Sequence, residues 1–301
     1  MKLRYGILAL VFLLTSSFPG QAAKVNKADL EATHILVGNV DDVESFFGVN
    51  ERGDQIILSR IRVKALKWIK GDPSGVVEFV VEGGAVGELA LRVSDIPEFE
   101  KGQRMRLLLK KLDGEFKFQE GEIDESTRFK PAKPAAGCCK TYAAWAITPV
   151  PYKVNMTGAD GTESSALADI KDGAAAWSGV LAYGGRSSLS GAAYNGENTV
   201  SFYESSSGNA IAVTYLWYNK RTQAMLEFDM YFFEYWPFFS LTADETCSGG
   251  FYYRTIATHE FGHAVGIDHN RCVDSIMYPY ASYCETNTLT AADLACLAKL
   301  Y

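Results

Sequence analysis

The feature that most constrains this chain is the stretch from His259 to His269. It begins H-E-x-x-H, and residues four apart lie on one face of a helix, so His259 and His263 can bind one ion. Glu260 lies about 100° around the helix, where it can contact a metal-bound water. Gly266 suits the helix end, where a left-handed residue turns the chain and lets His269 reach the same ion. Three histidine nitrogens and an open position are typical of catalytic zinc.

The composition argues against an incidental match. The sequence has four histidines, and three of them occur in this stretch at ligand spacing. A methionine, Met277, follows within Ser-Ile-Met-Tyr-Pro at residues 275–279. H-E-x-x-H-x-x-G-x-x-H followed by such a methionine turn is the metzincin pattern. The pattern predicts three metal ligands, one catalytic carboxylate and one structural methionine beneath the ligands: His259, His263 and His269; Glu260; Met277.

Three sequence segments indicate which group of metzincins the chain resembles. The segments His-Glu-Phe-Gly-His-Ala-Val-Gly, Ile-Met-Tyr-Pro and Leu-Thr-Ala-Ala-Asp, the last at residues 289–293, resemble the matrixins, the family of the matrix metalloproteinases. The likeness covers roughly residues 140–301 and is to a bacterial-type relative. It implies an α+β metzincin catalytic domain with a mixed twisted sheet, an active-site helix, a methionine turn and a C-terminal helix. Asn270 departs from the serine that is usual in matrixins, and no Pro-Arg-Cys-Gly pro-segment motif occurs.

The resemblance implies a zinc metalloendopeptidase that acts on protein or peptide substrates. A zinc-activated water would attack the peptide bond, with Glu260 as general base. One catalytic zinc ion is expected, and the sequence lacks further histidines for a second, structural zinc site. Matrixins often bind calcium as well. The acidic candidates for calcium, for which ordinary turn residues are the alternative, are Asp160, Glu163, Asp244 and Glu245.

The first residues predict export. Residues 1–23 read as a signal peptide, with Lys2 and Arg4 at the positive end, an apolar core at residues 7–14 and a small-residue exit. The apolar run is less than half of the about 20 residues that a membrane span needs. We therefore expect a secreted, extracellular or periplasmic protein that is monomeric and not stably inserted in a membrane.

Composition divides the rest of the chain in two. All six cysteines lie after residue 134, and prolines, lysines and small residues at 128–137 are typical of a linker. We predict a small β domain at residues 24–127 and the matrixin-like domain at 138–301. Five or six short strands in the first domain predict a small all-β fold, either an OB-like barrel or a sandwich. This domain has slightly more acidic than basic side chains, which argues against nucleic-acid binding.

Six cysteines in an exported chain predict disulfides, with fifteen possible connectivities. Cys272 and Cys284 bracket the methionine turn and form the favoured pair. The neighbours Cys138 and Cys139 would then pair elsewhere, with Cys247 and Cys296 available. In an alternative, a thiolate of Cys138 or Cys139 occupies the fourth zinc position and holds the enzyme latent.

Other readings concern the cleft and the first domain. In the matrixin arrangement, residues 211–215 would form an exposed sheet edge above the cleft, where an extended peptide can pair with free backbone groups. Two other functions stay open: a catalytically silent metzincin-like binding protein, and a protease whose N-terminal domain holds it latent or targets it to substrates. The carboxylate of Glu260 argues against the first, because zinc binding alone does not need it.

Overall fold

The computed structural model describes residues 32–124, 138–204 and 210–301. The predicted signal peptide at 1–23 and linker at 128–137 lie outside these ranges. The strands are β1 (His34–Val49), β2 (Gln55–Lys70), β3 (Val76–Glu82), β4 (Gly84–Val86), β5 (Leu89–Val93), β6 (Arg104–Leu112), β7 (Glu115–Ile123), β8 (Val150–Val154), β9 (Leu181–Arg186), β10 (Thr199–Tyr203), β11 (Ala212–Asn219), β12 (Ala224–Phe233), β13 (Phe238–Phe239) and β14 (Phe251–Tyr252). The helices are α1 (Glu163–Ala175), α2 (Tyr253–Ala264) and α3 (Ala291–Leu297). None of the helices in the described ranges is long and apolar enough to span a bilayer.

Five strands of the first part of the chain close into a barrel in the order β1-β2-β3-β7-β6, with β6 returning to β1. The long β1–β2 hairpin is antiparallel, whereas β3 and β7 run parallel. Alternate side chains point inward because successive strand residues face opposite sides, and Leu36, Ile61 and Leu107 meet in the interior. The barrel therefore has a core of its own.

A mixed seven-stranded sheet forms the second part, in the order β4-β5-β11-β12-β10-β8-β9. Helices α1 and α2 pack on one of its faces. Ala166, Ile170 and Ala174 recur every four residues along α1 and are buried against the sheet. Gly173 lets the two helices approach, since a Cβ there would lie 2.7 Å from the Cβ of Ala257 on α2. This sheet-rich arrangement with few helices is consistent with the expected metzincin catalytic domain.

The prediction that residues 211–215 form an exposed sheet edge is wrong for Thr214 and Tyr215, which are covered, whereas β5 does not pair with residues 211–213. Strand β5 pairs antiparallel with β11, with Val93 opposite Tyr215. The chain leaves the barrel after β3 through Gly83 and Gly84, whose φ angles of 102° and 122° suit glycine. The edge is covered because this turn carries β4 and β5 out of the barrel and onto the sheet.

The other face of the sheet packs against the barrel. Residues of β11 and β12 alternate between the helices and this second face, which presents Tyr215, Trp217 and Phe233. Ile56 and Ile57 of β2 cover these side chains from the barrel, together with apolar residues of β5. The barrel and the sheet therefore share one apolar core.

Arg52 adds a polar contact at the same interface. It lies between β1 and β2, is 9% exposed, and forms an ion pair with Glu82 at 2.7 Å. Its guanidinium also donates a hydrogen bond to the hydroxyl of Tyr215 and lies 5.6 Å from the ring centroid of Tyr231. This cation is buried among aromatic rings with its charge paired, an arrangement that holds the hairpin against the sheet.

The disulfides differ from the favoured pairing. The bonds join Cys138 to Cys272, Cys139 to Cys296 and Cys247 to Cys284. The predicted Cys272–Cys284 pair is wrong, because the amide of Cys284 donates to the carbonyl of Gly250 at 2.9 Å, which places Cys284 beside Cys247. The thiolate latch is wrong as well, because neither Cys138 nor Cys139 is a free thiol.

The shared core predicts that Ile57→Ala and Ile61→Ala act at different places. Both side chains are fully buried on β2, but Ile57 belongs to the shared core and Ile61 to the barrel interior. Each change should lower the free energy of unfolding by about 2–5 kcal/mol. Hydrogen–deuterium exchange in mild denaturant should show faster exchange of the β11 and β12 amides in Ile57→Ala only. Equal protection of those amides in the two variants would contradict a shared core.

Candidate active site

The three predicted histidine ligands meet at one point. Helix α2 carries His259 and His263 on one face, and Gly266, with φ of 96°, turns the chain just after the helix. Nε2 of His259 and Nε2 of His269 are 3.1 Å apart, and each lies 3.2 Å from Nε2 of His263. The structure therefore brings together the residues that the sequence pattern placed at one ion.

Backbone carbonyls orient two of these rings. The Nδ1 of His259 lies 2.6 Å from the carbonyl oxygen of Ile276, and the Nδ1 of His263 lies 2.8 Å from that of Ile267. A carbonyl only accepts, so Nδ1 carries the proton and donates it. The Nε2 lone pairs then face the shared centre, which is the ligand arrangement of metal-binding imidazoles.

The nitrogen separations fit a zinc ion. In a tetrahedral site with Zn–N bonds of about 2.0–2.1 Å, nitrogen ligands are about 3.3–3.4 Å apart. The observed triangle of Nε2 atoms, at 3.1–3.2 Å, is within a few tenths of an ångström of that spacing. Three inward lone pairs repel one another without a cation between them, so the donor set itself calls for one.

Burial keeps the three imidazoles neutral. It lowers the pKa of His259, and it lowers the pKa of His263 well below its usual range, with the neighbouring imidazoles adding to the effect. Burial and the proximity of His259 lower the pKa of His269 to about 3. Neutral rings are what metal binding requires, because a protonated Nε2 has no lone pair to donate.

Glu260 lies beside the triangle with its carboxylate held by β11. The side chain is buried, and the hydroxyl of Thr214 donates to its Oε2 at 2.6 Å. Burial, and then the nearby charge of Asp95, raise the pKa of Glu260 to about 8. The hydrogen bond from Thr214 opposes this rise, and a divalent cation at the histidines would oppose it further. Thr214 has no sequence signal, because its contact with Glu260 depends on sheet–helix packing.

Asp95 is a second acid at the site, and sequence analysis missed it. Its Oδ1 lies 4.0 Å from Nε2 of His269, and 38% of its side chain is exposed. Partial withdrawal from solvent inside the cleft raises its pKa to about 7. It follows β5 in the first half of the chain, far from the histidines in sequence, and belongs to no recognisable motif.

Asp268 supports the third histidine. Its Oδ1 accepts the backbone N–H of His269 at 2.9 Å, and its Oδ2 accepts a hydrogen bond from Arg92 at 2.8 Å. Lys140 forms a further ion pair with Oδ2. Burial alone would raise the pKa of Asp268, but the charges of Arg92 and Lys140 hold it below its usual value. The charged carboxylate of Asp268 therefore positions the loop that carries His269. Arg92, the buried cation that pairs with this carboxylate, belongs to β5.

Met277 packs under helix α2, next to the residue that precedes His263. The side chain is completely buried and packs against Gly262, which lies one residue before His263 on α2. A Cβ at Gly262 would clash with the Met277 sulfur and would lie 2.7 Å from the ring of Trp177. The helix needs glycine there because the methionine turn and the tryptophan fill the space.

Asp293 braces the methionine turn from helix α3. Its carboxylate accepts hydrogen bonds from the Ser275 hydroxyl at 2.5 Å and from the Ile276 amide at 3.2 Å. The same carboxylate accepts the backbone N–H of Thr290, and the two residues form a capping box at the start of α3. One side chain thus caps a helix and supports the turn whose carbonyl orients His259.

Asn270, which departs from the usual matrixin serine, has a structural role in this chain. Its Nδ2 donates to the carbonyl of Cys138 at 3.2 Å and to the hydroxyl of Ser275 at 2.7 Å. Its Oδ1 accepts the amide of Cys272 at 2.9 Å. The amide side chain therefore joins the methionine turn to the Cys138–Cys272 disulfide.

Three of the four acidic residues considered as calcium ligands bind other groups of the protein. Asp160 and Glu245 accept backbone amides of the 238–240 segment, and Glu163 forms an ion pair with Arg186 at 2.5 Å. Asp244 lies in a turn with φ of 53°. Calcium binding stays a prediction.

Comparison with known proteins agrees with this geometry. The family model described as Matrixin matches residues 144–301, just over half of the chain. The chain belongs to the matrixin family. Matrilysin of Mus musculus is 45% identical over 47 residues, which cover 15% of this chain and 18% of matrilysin, so the match spans less than a fifth of that relative. The resemblance predicted from the motifs is confirmed, and matrixins are zinc-dependent metallopeptidases.

The packing under α2 predicts the effect of Gly262→Ala. The added methyl group has no room between Met277 and Trp177, so the free energy of unfolding should fall by about 1–3 kcal/mol. Gly75→Ala is the matched control, because a Cβ there meets nothing within 4 Å and should change stability by less than about 0.5 kcal/mol. Urea unfolding followed by circular dichroism measures both, and equal midpoints would show that the space beneath the helix is not filled.

Proposed function

We propose that this chain is a secreted or periplasmic zinc-dependent endopeptidase. The observation that supports this most directly is the triangle of three Nε2 atoms at 3.1–3.2 Å beside the buried carboxylate of Glu260. His259, His263 and His269 would hold one zinc ion, and Met277 would form the apolar floor beneath them. Substrates would be proteins or peptides, as the family implies.

The residues of the site suit hydrolysis. A zinc ion at the three nitrogens would lower the pKa of a bound water to about 7 and polarise the scissile carbonyl. Glu260 would take the proton of the attacking water and pass it to the leaving amine. Because Thr214 donates to Oε2, the other oxygen, Oε1, is the one available for that proton.

A catalytically silent metal-binding protein is the alternative. Glu260 argues against it on energetic grounds, because burying a carboxylate costs free energy and metal binding by three histidines does not need it. The Thr214 hydrogen bond holds this carboxylate in place, which is the arrangement expected of a working base. We therefore favour the enzyme.

We propose the following organisation for the whole chain. Residues 1–23 would direct export, and three disulfides suit an oxidising compartment. Residues 24–127 would form an N-terminal domain with an OB-like barrel, which the strand order β1-β2-β3-β7-β6 supports, and this domain contributes β4 and β5 to the sheet. Residues 128–137 would form a linker, and residues 138–301 would form the matrixin domain, acting as a monomer without nucleic-acid partners.

Glu260→Gln tests the proposed function. The change keeps the size of the side chain but removes its basicity, so hydrolysis of a fluorogenic peptide library should fall by about 10²–10⁴-fold. Bound zinc, measured by atomic absorption, should stay at one ion per chain. A variant that loses zinc with the activity, or one that keeps its activity, would contradict the role of a base.

His263→Asn and His34→Asn test the metal ligands as a matched pair. Both histidines are buried, but His34 lies in the barrel between Trp68 and Phe116. Only the His263 variant should lose zinc. Retention of zinc in both variants would overturn the proposed ligand set.

A further inference from the structure

Strand β5 occupies the edge of β11 from Tyr215 to Asn219. It pairs with β11, and the pairing continues past its end, where the amide of Ser94 donates to the Thr214 carbonyl at 3.0 Å. The amide of Thr214 donates in turn to the Ser94 hydroxyl at 3.1 Å. An extended peptide binds a sheet edge through these same backbone groups. The covered part of β11 therefore has no free edge to offer.

The next residue along this segment reaches the metal site. Asp95 Oδ1 lies 4.0 Å from Nε2 of His269. Two atoms that share a tetrahedral zinc ion are about 3.3–3.4 Å apart, so the distance between Oδ1 and Nε2 of His269 exceeds that spacing by less than about 1 Å. Within the described part of the chain, the Asp95 carboxylate accepts no hydrogen bond from another residue. A carboxylate that has no protein donor and lies beside His269 is available to an ion held by the three histidines.

Arg92 sets the position of this segment. Its side chain is 9% exposed, donates to Asp268 at 2.8 Å and lies 4.9 Å above the ring of Tyr142. Asp268 directly precedes His269 and holds the amide of that residue. The ion pair therefore ties β5 to the loop that carries a metal ligand, and it fixes how far Asp95 enters the site.

The barrel covers the cleft from above. A cavity of about 1010 Å³ separates the two halves, with Lys117 and Phe118 of β7 on one side and His259 and Glu260 on the other. The hydroxyl of Tyr280, beyond the methionine turn, donates to Glu120 of β7 at 3.4 Å. These contacts and the shared core hold the barrel against the sheet. Strand β5 is therefore fixed at the edge of the sheet by the barrel to which it is connected.

We propose that residues 89–95 hold the peptidase latent, with β5 in the place of a substrate strand and the Asp95 carboxylate as the fourth ligand of the metal. This inference rests on the proposed function. It assigns to the barrel domain the role of an inhibitory domain, and to Asp95 the blocking role that the cysteine hypothesis had given to a thiolate. The alternative, in which the barrel is a wall of a working substrate cleft, predicts no effect of Asp95 on the metal.

The test uses the full chain with Co²⁺ in place of zinc, because the visible spectrum of Co²⁺ reports its ligands. We compare the wild type with Asp95→Ala and with Asp95→Asn, which keeps the side-chain shape. Glu98→Gln is the matched control: it removes one negative charge three residues after Asp95, from an exposed side chain that pairs with Arg92. Acetohydroxamic acid is the probe of an open metal position.

The expected result has two parts. The Co²⁺ spectra of both Asp95 variants should differ from that of the wild type, and acetohydroxamic acid should bind them at least about tenfold more tightly, because a tethered ligand competes at millimolar or higher effective concentration. Peptide hydrolysis by the zinc form should rise by at least about tenfold in Asp95→Ala. Glu98→Gln should behave as the wild type in both measurements.

Two results would overturn the inference. The first is the same spectrum and the same acetohydroxamic acid affinity in the wild type and Asp95→Ala. The second is equal peptide hydrolysis by these two proteins, which is the outcome that a cleft wall predicts. In either case the proposed function survives if the wild type binds zinc and hydrolyses peptides. Failure of every variant to bind metal, or full activity of Asp95→Ala/Glu260→Gln, would instead overturn the proposed function itself.

Discussion

Two backbone carbonyls determine what the histidine cluster can bind. Ile276 and Ile267 accept the protons on Nδ1 of His259 and His263, so the other nitrogen of each ring turns its lone pair to the centre. Each carbonyl belongs to a segment that follows helix α2, one in the methionine turn and one in the loop before His269. The ligand geometry thus depends on the turn and the loop as much as on the helix.

The sequence alone predicted the clustering of the three histidines because the relations that bring them together are local. Helical spacing places His259 beside His263, and a glycine at the helix end returns the chain for His269, so these relations need no knowledge of the rest of the fold. The capping box at Thr290 and Asp293 is local in the same way. The second contacts of these residues, such as Asp293 with the methionine turn, depend on packing and left no pattern in the sequence.

The failures of sequence analysis all concern distant partners. The apolar run of β11 is equally compatible with a covered strand and with an exposed edge, and only the chain path through Gly83 and Gly84 decides between them. Disulfide pairing failed for the same reason, since proximity in sequence favoured Cys272 with Cys284. Asp95 is an ordinary acid in an ordinary loop until the barrel carries it to the histidines.

The two domains that composition distinguishes are not physically independent. Composition separates the halves, and the barrel has its own interior, but Ile57 and Trp217 belong to one core that crosses the division. Strand β5 belongs to the first half in sequence and to the second half in hydrogen bonding. Sequence composition reports where the chain changes character, whereas burial reports which parts are stable together.

The carboxylate of Asp293 has a thermodynamic consequence for the end of the chain. It connects the first turn of α3 to the amide of Ile276, whose carbonyl receives the ring proton of His259. An ion that stabilises the orientation of the His259 ring also stabilises the contacts of Ile276 and Asp293 that support it. By linkage, the effect is reciprocal. If the histidines bind an ion, its occupancy is linked through these contacts to the order of the first turn of α3, although that helix supplies no ligand.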